Sequence, residues 1–600
     1  MTSGSTSRTT VANDGLAVIT AGRRYVENGP RFASERRNVF RGVWGFRGDL
    51  GQVSDNFLTD LKYDLYYSYA RSEDTLQLSN AISRSRLQAA LLSVGGAAPV
   101  CNIFGANVSA ACVKAISIGA INTTIATQQV AQASVTGTVF KLPAGPVGFS
   151  YGYEWRKATA AYTPDTFLSS GDVVGFNPGL PTQGSTTVKE VFGEIRVPLV
   201  HDTPFIDSLV ANGGFRYSNY NLSGIGGVWT YLGGLDWRVN RDIAFRGQYQ
   251  RAIRAPSVAE LFGGTSRQII TAIDPCSNRI AAAQQTATVR QLCIATGVPA
   301  AQVFTAAVQP NSFFSADTGG NNRLRAEVSD TYTAGVVVTP TALPGLYASV
   351  DYFNIALKGA VSQLGGGLQG TLNLCYLTVQ NASSEFCQAV QRNPLTGEIN
   401  EPYAVQIRNA NSGVLKTSGI DFAVRYRFPL GFGFPGLSET SKLDVSTNHT
   451  WLAEFNNTPV AALPAVIYKC AGSYGPTCGQ PLPRWRGTTR VTWTTGDLGL
   501  SVRHRYIGPV VTDRFVVPLR QGSASTPLLS SIVYPKLASA NYFDLSFTYD
   551  IAEGMQVFGG ANNVLGSDPR ITTQGPNANT FSATYDVLGT EFFLGATLKF

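Results

Sequence analysis

The chain has 600 residues, of which 44% are hydrophobic, 11% aromatic and only 14% charged, and its formal net charge is +8 at pH 7. This composition is too apolar for a disordered chain, and a mean hydropathy of +0.01 is too low for a bundle of membrane helices. The positive charge is spread without a block of Lys and Arg, so no nucleic-acid partner is expected. A β-barrel fits, because half of each strand faces lipid and half faces a polar lumen.

The start of the chain shows no export signal. Residues 1–15 are polar and lack the basic-then-apolar layout of a signal peptide, and we expect them to be disordered or a residual N-terminal segment. Residues 16–600 are expected to form one domain. Within it, residues 16–25 and 39–46 are predicted strands, and residues 61–69 form a third, in which Leu and Tyr alternate with polar side chains.

A helix is predicted at residues 80–92, where a long loop opens. Residues 87–113 carry no charge, but glycine, proline and asparagine interrupt them too often for a membrane-spanning helix. Two further strands are predicted at residues 130–142 and 147–162. The Pro-Ala-Gly-Pro sequence at residues 143–146 supplies the tight turn between them.

The clearest repeating unit is a hairpin in residues 228–254, whose strands alternate apolar and polar side chains around a short turn. Trp229 and Trp237 share the apolar face eight residues apart. This spacing is roughly 26 Å along a strand and about 20 Å along a membrane normal, close to the separation of two aromatic girdles. Arg251 ends the apolar face where a membrane-crossing strand would re-enter water. The sequence therefore predicts an all-β, transmembrane, antiparallel up-and-down β-barrel.

Eight cysteines fall into four local pairs, none of which has the spacing of a CxxC metal or redox motif. Because only three histidines are present, neither a metal site nor a cofactor is predicted. The pairs are instead predicted to be disulfides, each closing its own loop in an oxidising compartment. They are Cys101 with Cys112, Cys276 with Cys293, Cys375 with Cys387, and Cys470 with Cys478.

Several motifs follow one another in a fixed order through residues 180–600. They are KEVFGEIRVPL, GFRYSNY, LDWRVNRDIAFRGQYQRAIRAPSVAELF, NNRLRAEVSDTYTAG, DYFNIALKGAV, SGIDFAVRYRF, GGANNVLGSDPR and a final FFLGATLKF. In this order they resemble the barrel domain of TonB-dependent outer-membrane receptors. The chain departs from that pattern at Asn322 and Ala326, which stand where proline is usual.

The resemblance implies a 22-stranded family barrel with an N-terminal plug, of which this chain supplies about 18 strands and lacks the N-terminal part. It implies energy-coupled uptake of a scarce ligand, such as a ferric siderophore, cobalamin or an oligosaccharide, across the outer membrane of a Gram-negative bacterium. The implied partners are outer-membrane lipid, the barrel-assembly machinery, the ligand and, if a plug is present in the full-length protein, the TonB complex. Two alternatives stay open: a plug-less, passive porin-like channel, and a surface barrel that binds a partner through its outer loops.

Counting strands back from a periplasmic C-terminus places every long loop on one side of the predicted barrel. The count requires residues 404–428 to form one long strand with a bulge near residues 409–413. All four cysteine pairs then lie on the outer side. Short turns are expected at 143–146, 200–206, 240–242, 340–345, 429–440, 495–498 and 551–554, and long outer loops at 163–185, 255–324, 359–403, 456–483, 510–539 and 567–587.

Ligand contact is predicted on the outer side, in the longest loop, residues 255–324. Phe304, Phe313 and Phe314 are its candidate apolar contacts. Arg254, on the lumen face at the start of this loop, is the candidate for attracting an anionic ligand, because a charged narrow mouth concentrates counter-ions.

The alternative interpretation is that the lumen charges pair with one another and with a plug. The arginines assigned to the lumen are Arg216, Arg238, Arg246, Arg254, Arg425, Arg427, Arg503 and Arg505, and the aspartates are Asp64, Asp236, Asp351, Asp421, Asp544 and Asp550.

The chain is not predicted to be an enzyme, because it has no G-x-S-x-G, H-E-x-x-H or G-K-[ST] motif. His504 lies among apolar residues and is expected to pack in an aromatic girdle. At the C-terminus, Gly595, Leu598 and Phe600 resemble the signal that barrel-assembly machinery recognises, although Phe593 is apolar where a polar residue is commoner.

Overall fold

The computed structural model describes residues 23–94, 99–103, 108–176, 178–311, 313–461, 463–475, 477–514, 534–572 and 579–599. The chain forms two compact units. The first comprises residues 1–40, 71–126 and 160–182, and the second comprises residues 41–70, 127–159 and 183–600. The predicted strand at residues 16–25 falls outside the described residues except for residues 23–25, which are not in a strand.

Strands dominate the described residues, as the alternation predicts. In chain order they are β1 Phe32–Gly51, β2 Thr59–Ile82, β3 Ser117–Leu142, β4 Gly145–Thr163, β5 Thr182–Thr203, β6 Ile206–Tyr220, β7 Gly227–Arg238, β8 Ile243–Arg254, β9 Ser266–Thr271, β10 Phe313–Thr318, β11 Glu327–Val338, β12 Leu346–Gln363, β13 Val405–Gln406, β14 Asn409–Leu430, β15 Ser441–Thr458, β16 Tyr468–Lys469, β17 Ser473–Gly475, β18 Gly479–Leu482, β19 Trp485–Thr495, β20 Leu498–Ile507, β21 Val510–Thr512, β22 Lys536–Leu537, β23 Ala540–Ala552, β24 Met555–Asn562 and β25 Glu591–Leu598.

Helices are short and lie in the connections between strands. They are α1 Arg84–Leu92, α2 Ala110–Ile116, α3 Thr166–Ser169, α4 Val258–Phe262, α5 Ala287–Ala295, α6 Leu368–Asn373 and α7 Glu385–Gln388, with a π-helix at Leu374–Val379. Single 3-10 turns occur at Val26–Asn28, Ala282–Gln284, Ala306–Val308 and Leu364–Gly366. No helix among the described residues is long and apolar enough to cross a membrane.

One sheet contains eighteen strands, including the two-residue strand β16, in agreement with the predicted number. From β5 to β25 its long strands pair antiparallel, each with the next long strand along the chain. Short connections, such as residues 239–242 and 553–554, alternate with long ones, such as 255–326 and 364–408. Because the strands are antiparallel, the short connections share one rim and the long ones share the other, as predicted.

Several predicted boundaries are wrong. The strand predicted at residues 130–142 begins at Ser117, and the strand predicted at residues 39–46 extends over Phe32–Gly51. The predicted helix at residues 80–92 begins only at Arg84, because β2 continues through Ile82 and the hydroxyl of Ser83 caps the helix by accepting from the backbone N–H of Arg86. The predicted strand at residues 404–428 begins only at residue 409, since Val405 and Gln406 pair with β10 instead. The predicted bulge is confirmed: the β12–β14 register shifts opposite residues 411–413.

The large sheet has an apolar face and a polar face. Trp229 and Trp237 both lie on the apolar face, with 56% and 38% of their surface exposed. His504 lies there too and stacks on Phe543 with 4.8 Å between ring centroids, as expected for a girdle residue. Exposed aromatic side chains on one sheet face are typical of a surface that meets lipid.

The two longest connections, residues 255–326 and 364–408, fold together, and we call them the outer-loop domain. Strands β9, β10 and β13 form a three-stranded sheet within it. One face of this sheet covers a hydrophobic core that includes Phe314, Leu372 and Ile407, which are at most 2% exposed. Disulfides Cys276–Cys293 and Cys375–Cys387 close loops inside this domain.

The remaining long connections form smaller cores. In the second unit, strands β17, β18, β21 and β22 form a sheet, and the disulfide Cys470–Cys478 closes a loop beside it. Tyr474, Tyr542 and Tyr585 are buried in the accompanying core. In the first unit, α1 and α2 pack around the disulfide Cys101–Cys112. The four disulfides join the pairs that the sequence analysis predicts.

At the C-terminus, β25 places Leu598 on the exposed apolar face and Gly595 on the opposite face, beneath the ring of Phe558. Phe593 lies on the same face as Gly595. Phe600 lies outside the described residues.

Replacing Gly595 by Val should impair assembly of the sheet. A Cβ atom at this position would clash with the ring of Phe558, and overpacking of this kind destabilises a protein by about 1–3 kcal/mol. The measurement is the fraction of protein with heat-modifiable mobility in SDS gels. Ala596→Val, at the adjacent exposed position, is the control and should assemble normally. Equal assembly of the two variants, or failure of Phe558→Ala to rescue Gly595→Val, would contradict the packing described.

Replacing Cys276 and Cys293 together by Ala should loosen the outer-loop domain. The bond spans 17 residues, and the chain-entropy model assigns such a loop about 3 kcal/mol. Limited trypsin digestion of the folded protein should then cleave residues 255–326 faster while leaving the long strands intact. The matched control replaces Cys470 and Cys478, and should leave this cleavage unchanged. A digestion rate unaffected by the first variant would show that the core alone orders the domain.

Candidate functional site

Arg254 holds the outer-loop domain to the sheet. Its guanidinium donates to Glu327 on β11 at 2.8 Å and to both carboxylate oxygens of Glu260 on α4 at 2.9 Å. Glu260 also completes a capping box with Ser257 at the start of α4. Burial raises the pKa of Glu260, but the bonds from Arg254 and Ser257 outweigh it and hold the pKa below its ordinary value. The guanidinium is thus occupied by two carboxylates.

The three candidate phenylalanines occupy different environments. Phe314 is a core residue, with 2% of its surface exposed. Phe304 is half-buried and packs against the same core. Phe313 is 64% exposed. Since successive side chains of a strand point to opposite faces, the sequence could indicate that Phe313 and Phe314 differ but not which of them is exposed.

Phe313 belongs to a partly exposed face of the β9–β10–β13 sheet, which we call the exposed loop face; Ser315 and Asp317, the next side chains of β10 on this face, are buried. Ile269 lies on the same face and is 62% exposed. Beside them, Arg267 donates to Asp317 at 2.8 and 3.0 Å, and Gln406 donates to the same carboxylate at 2.7 Å. The exposed loop face therefore combines two apolar side chains with a fixed guanidinium, a set that suits a ligand with both apolar and polar parts. Ile269, Arg267 and Gln406 were missed by the sequence analysis, because no local pattern marks their strands as one sheet.

A fully buried ion pair fixes the interior of the outer-loop domain. Arg392 donates to both oxygens of Asp274 at 2.6 and 2.9 Å, and both side chains are 0% exposed. The hydroxyl of Tyr376 accepts from the same guanidinium at 3.0 Å. Burial lowers the pKa of Arg392, but the carboxylate of Asp274 outweighs it, so the pKa is raised above its ordinary value. Removing either partner would leave a buried charge uncompensated, which makes this pair a structural element rather than a binding group.

On the polar face of the large sheet, every arginine that the sequence assigns to the lumen has a carboxylate partner, but only Arg246, Arg503 and Arg505 pair with an aspartate that the sequence assigns there. The pairs are Arg216–Glu190, Arg238–Asp207, Arg246–Asp351, Arg254–Glu327, Arg425–Asp444, Arg427–Asp444, Arg503–Asp544 and Arg505–Asp544. Asp421 instead accepts from the hydroxyl of Thr450. The glutamates of this face, Glu190 foremost, were not considered in the sequence analysis.

A cavity of about 750 Å³ opens on this polar face. Its charged lining comprises Arg246 and Asp351, Asp421, Arg486 and Arg505, and residues 481–483 of a long connection border it. Groups of three or more His, Cys, Asp or Glu side chains that could hold a metal ion do not occur in the described parts of the chain. The cavity is therefore a polar compartment with charges of both signs.

The alternating apolar and polar faces, the two rims and the folded long connections are the features of an outer-membrane barrel. The family model for the β-barrel of TonB dependent receptor-like proteins matches residues 2–564. The chain belongs to this family. It is accordingly a protein of the Gram-negative outer membrane and a member of a family of non-enzymatic transporters. The polar face is the lumen side of the barrel, and the apolar face meets lipid.

Three solved structures are similar to this chain at low identity, and the first of them, with a TM-score of 0.50, has the same fold. The ferric enterobactin receptor of Pseudomonas aeruginosa, in complex with enterobactin, is 14% identical with a TM-score of 0.50, and the match covers 95% of this chain and 71% of that chain. The siderophore receptor PirA of Acinetobacter baumannii is 12% identical, with a TM-score of 0.49 and coverage of 95% and 71%. The hemophore receptor HasR of Serratia marcescens is 13% identical, with a TM-score of 0.46 and coverage of 88% and 63%. No curated protein sequence matches the chain.

The exposed loop face should lose order only in strong acid. The bond from Arg267 holds the pKa of Asp317 below its ordinary value. A depressed pKa stabilises the folded state above the unfolded-state value of about 3.9, and this stabilisation is lost as the pH falls through the folded-state pKa. Pepsin digestion across pH 2–5 should therefore show cleavage of residues 264–271 rising below about pH 4. After correction for pepsin activity, the Asp317→Asn variant should be cleaved at a rate independent of pH in this window. The same pH profile in both proteins would rule out the Arg267–Asp317 pair as the cause of the rise in cleavage.

Proposed function

We propose that this chain, with residues 16–600 as its barrel domain, is the barrel portion of a TonB-dependent receptor that takes up a scarce ligand across the outer membrane. The observation that carries the proposal is the outer-loop domain. A passive pore needs no separately folded core with two disulfides and a buried ion pair on its outer rim, whereas a receptor needs a rigid surface that recognises its ligand.

The ligand-contacting surface in this proposal is the exposed loop face, with Phe313 and Ile269 as apolar contacts. The role that the sequence suggested for Arg254 shifts, because Glu260 and Glu327 already bind its guanidinium. Arg254 would then act indirectly, by holding the outer-loop domain in place. Phe304 and Phe314 would support this surface from the core.

Transport requires a passage below the surface, and the lumen cavity offers one. Its charged groups are accessible, because Arg246 is half-exposed and Asp421 is bound only through a hydroxyl among the described residues. Such groups can bind polar parts of a ligand, or of a plug domain with its TonB complex, without leaving a buried charge unpaired.

A ferric siderophore is the first ligand to test, since the structurally similar receptor from Pseudomonas aeruginosa is described in complex with enterobactin. Cobalamin and oligosaccharides follow.

The test is uptake of labelled ferric siderophores, cobalamin and maltodextrins by cells that carry the full-length gene, compared with cells in which it is disrupted. Gene-dependent uptake of one ligand should saturate and should stop when a protonophore dissipates the proton gradient. Gene-dependent uptake that is proportional to concentration and indifferent to the protonophore would instead support the passive channel.

The double variant Phe313→Ala/Ile269→Ala tests the surface itself. Burying these two side chains against a ligand is expected to contribute enough that truncation weakens half-saturation by about tenfold or more. The matched control, Ile294→Ala/Leu395→Ala, truncates two exposed apolar residues of the same domain outside the exposed loop face. Unchanged half-saturation in the first variant would remove the exposed loop face from the proposal while leaving energy-coupled uptake standing.

A further inference from the structure

Three basic side chains lie close together on the lipid-facing side of the barrel, near the long-loop rim. Arg251 on β8 lies opposite Asp330 on β11, and Lys358 on β12 reaches the same carboxylate at 3.3 Å. Lys416 on β14 lies opposite Ala356, two residues from Lys358 on the same face. This diagonal relation places the two lysines about 7–8 Å apart between Cα atoms. Lys358 has 62% of its side chain exposed.

The group carries excess positive charge toward the lipid. Asp330 is only 12% exposed and accepts from Arg251 at 2.8 Å and from the hydroxyl of Tyr249 at 2.9 Å. A second carboxylate on this face, Glu454, lies opposite Ser418, two residues from Lys416, and accepts from Asn456 on its own strand. Three basic side chains against these two carboxylates leave a net charge of +1. Asp330 is therefore satisfied chiefly by Arg251 and Tyr249. Lys358 and Lys416 extend this group with exposed ammonium groups.

The height of this group in the membrane follows from the aromatic residues beside it. Tyr231, Tyr249 and Tyr332 form a contiguous row, with ring centroids of successive members 6.1 and 4.9 Å apart. Such a row marks the interface between hydrocarbon and head groups. Arg251 lies two residues beyond Tyr249, which is roughly 7 Å farther along the strand. The basic group is thus at the level of the outer-leaflet head groups.

An apolar groove of about 560 Å³ lies on the same strands, farther from the long-loop rim. Gly247 and Ala334 form its floor, and Trp237, Phe245 and Tyr352 are among its larger lining residues. The groove exists because small residues on adjacent strands are surrounded by large ones. Ile420 also lines the groove and is four residues from Lys416 on β14, which is roughly 14 Å along the strand and within reach of an acyl chain.

We propose that this surface is a binding site for an anionic lipid of the outer leaflet. Its head group binds Lys358 and Lys416, and one acyl chain occupies the groove at Gly247. The positive charge of the two lysines favours an anionic head group, and the almost entirely apolar lining of the groove favours a hydrocarbon chain. The site is separate from the lumen and from the exposed loop face.

Two substitutions test the two halves of the site. Gly247→Leu fills the groove, and the protein tolerates it internally because a Cβ atom there meets only the carbonyl oxygen of Thr333, at 3.9 Å. Gly213→Leu is the matched control, since it adds the same side chain to the lipid-facing surface outside the groove. The double variant Lys358→Gln/Lys416→Gln removes the head-group contacts. Its control is Lys189→Gln, which removes an exposed lysine on β5, at least four strands away from both lysines in the sheet.

The measurement is native mass spectrometry of the full chain, folded in detergent and titrated with diphosphorylated lipid A or with the same lipid after dephosphorylation. The wild-type protein and both controls should bind the phosphorylated lipid alike. Gly247→Leu and the double lysine variant should each bind it at least about fivefold more weakly, and the dephosphorylated lipid should bind weakly to all. Equal binding by all variants, a loss in only one of the two test variants, or equal binding of the dephosphorylated lipid would overturn the proposal. Heat-modifiable mobility establishes that each variant is folded.

Discussion

The need to hydrogen-bond every backbone N–H and C=O group inside a membrane governs this structure. Antiparallel pairing from β5 to β25 satisfies these groups between neighbouring strands and leaves the side chains to divide between lipid and lumen. The division explains the even hydropathy, the aromatic residues on the apolar face and the absence of long apolar helices in the described residues. It also restricts recognition to the rims and the lumen, where polar backbone and side chains are compatible with their surroundings.

Charges in this barrel occur in two arrangements with different consequences. The Arg392–Asp274 pair is completely buried and orders the outer-loop domain, so it is useful only while both partners remain. The lumen pairs, such as Arg246–Asp351, are partly exposed, so water can solvate either partner. Arg254 lies between these cases, since it joins a strand carboxylate and a loop carboxylate at the rim. In the proposed function the buried pair keeps the ligand-contacting surface rigid, and the exposed pairs line the passage.

The lipid-facing surface, like the loops, has an ordered arrangement of apolar, aromatic and basic side chains. Most of it is apolar, yet Arg251, Lys358 and Lys416 follow the tyrosine row at the height of the head groups. A charge on the lipid face costs little at the interface and much at the midplane, so this position is where such residues can be retained. The groove at Gly247 lies deeper, where only apolar contacts are favourable.

The sequence by itself determined the barrel class, the number of strands, the alternation of short and long connections and the cysteine pairs, because period-two alternation, turn residues and short loop closures are local properties. It did not determine how the long loops fold. Residues 404–408 leave β14 to join β10, and only the core beneath that sheet decides that Phe314 is buried while Phe313 is exposed. The partners of Arg254 and Arg392 are likewise distant in sequence, at Glu327 and Asp274. Such contacts depend on how two loops pack together, and no local pattern encodes that packing.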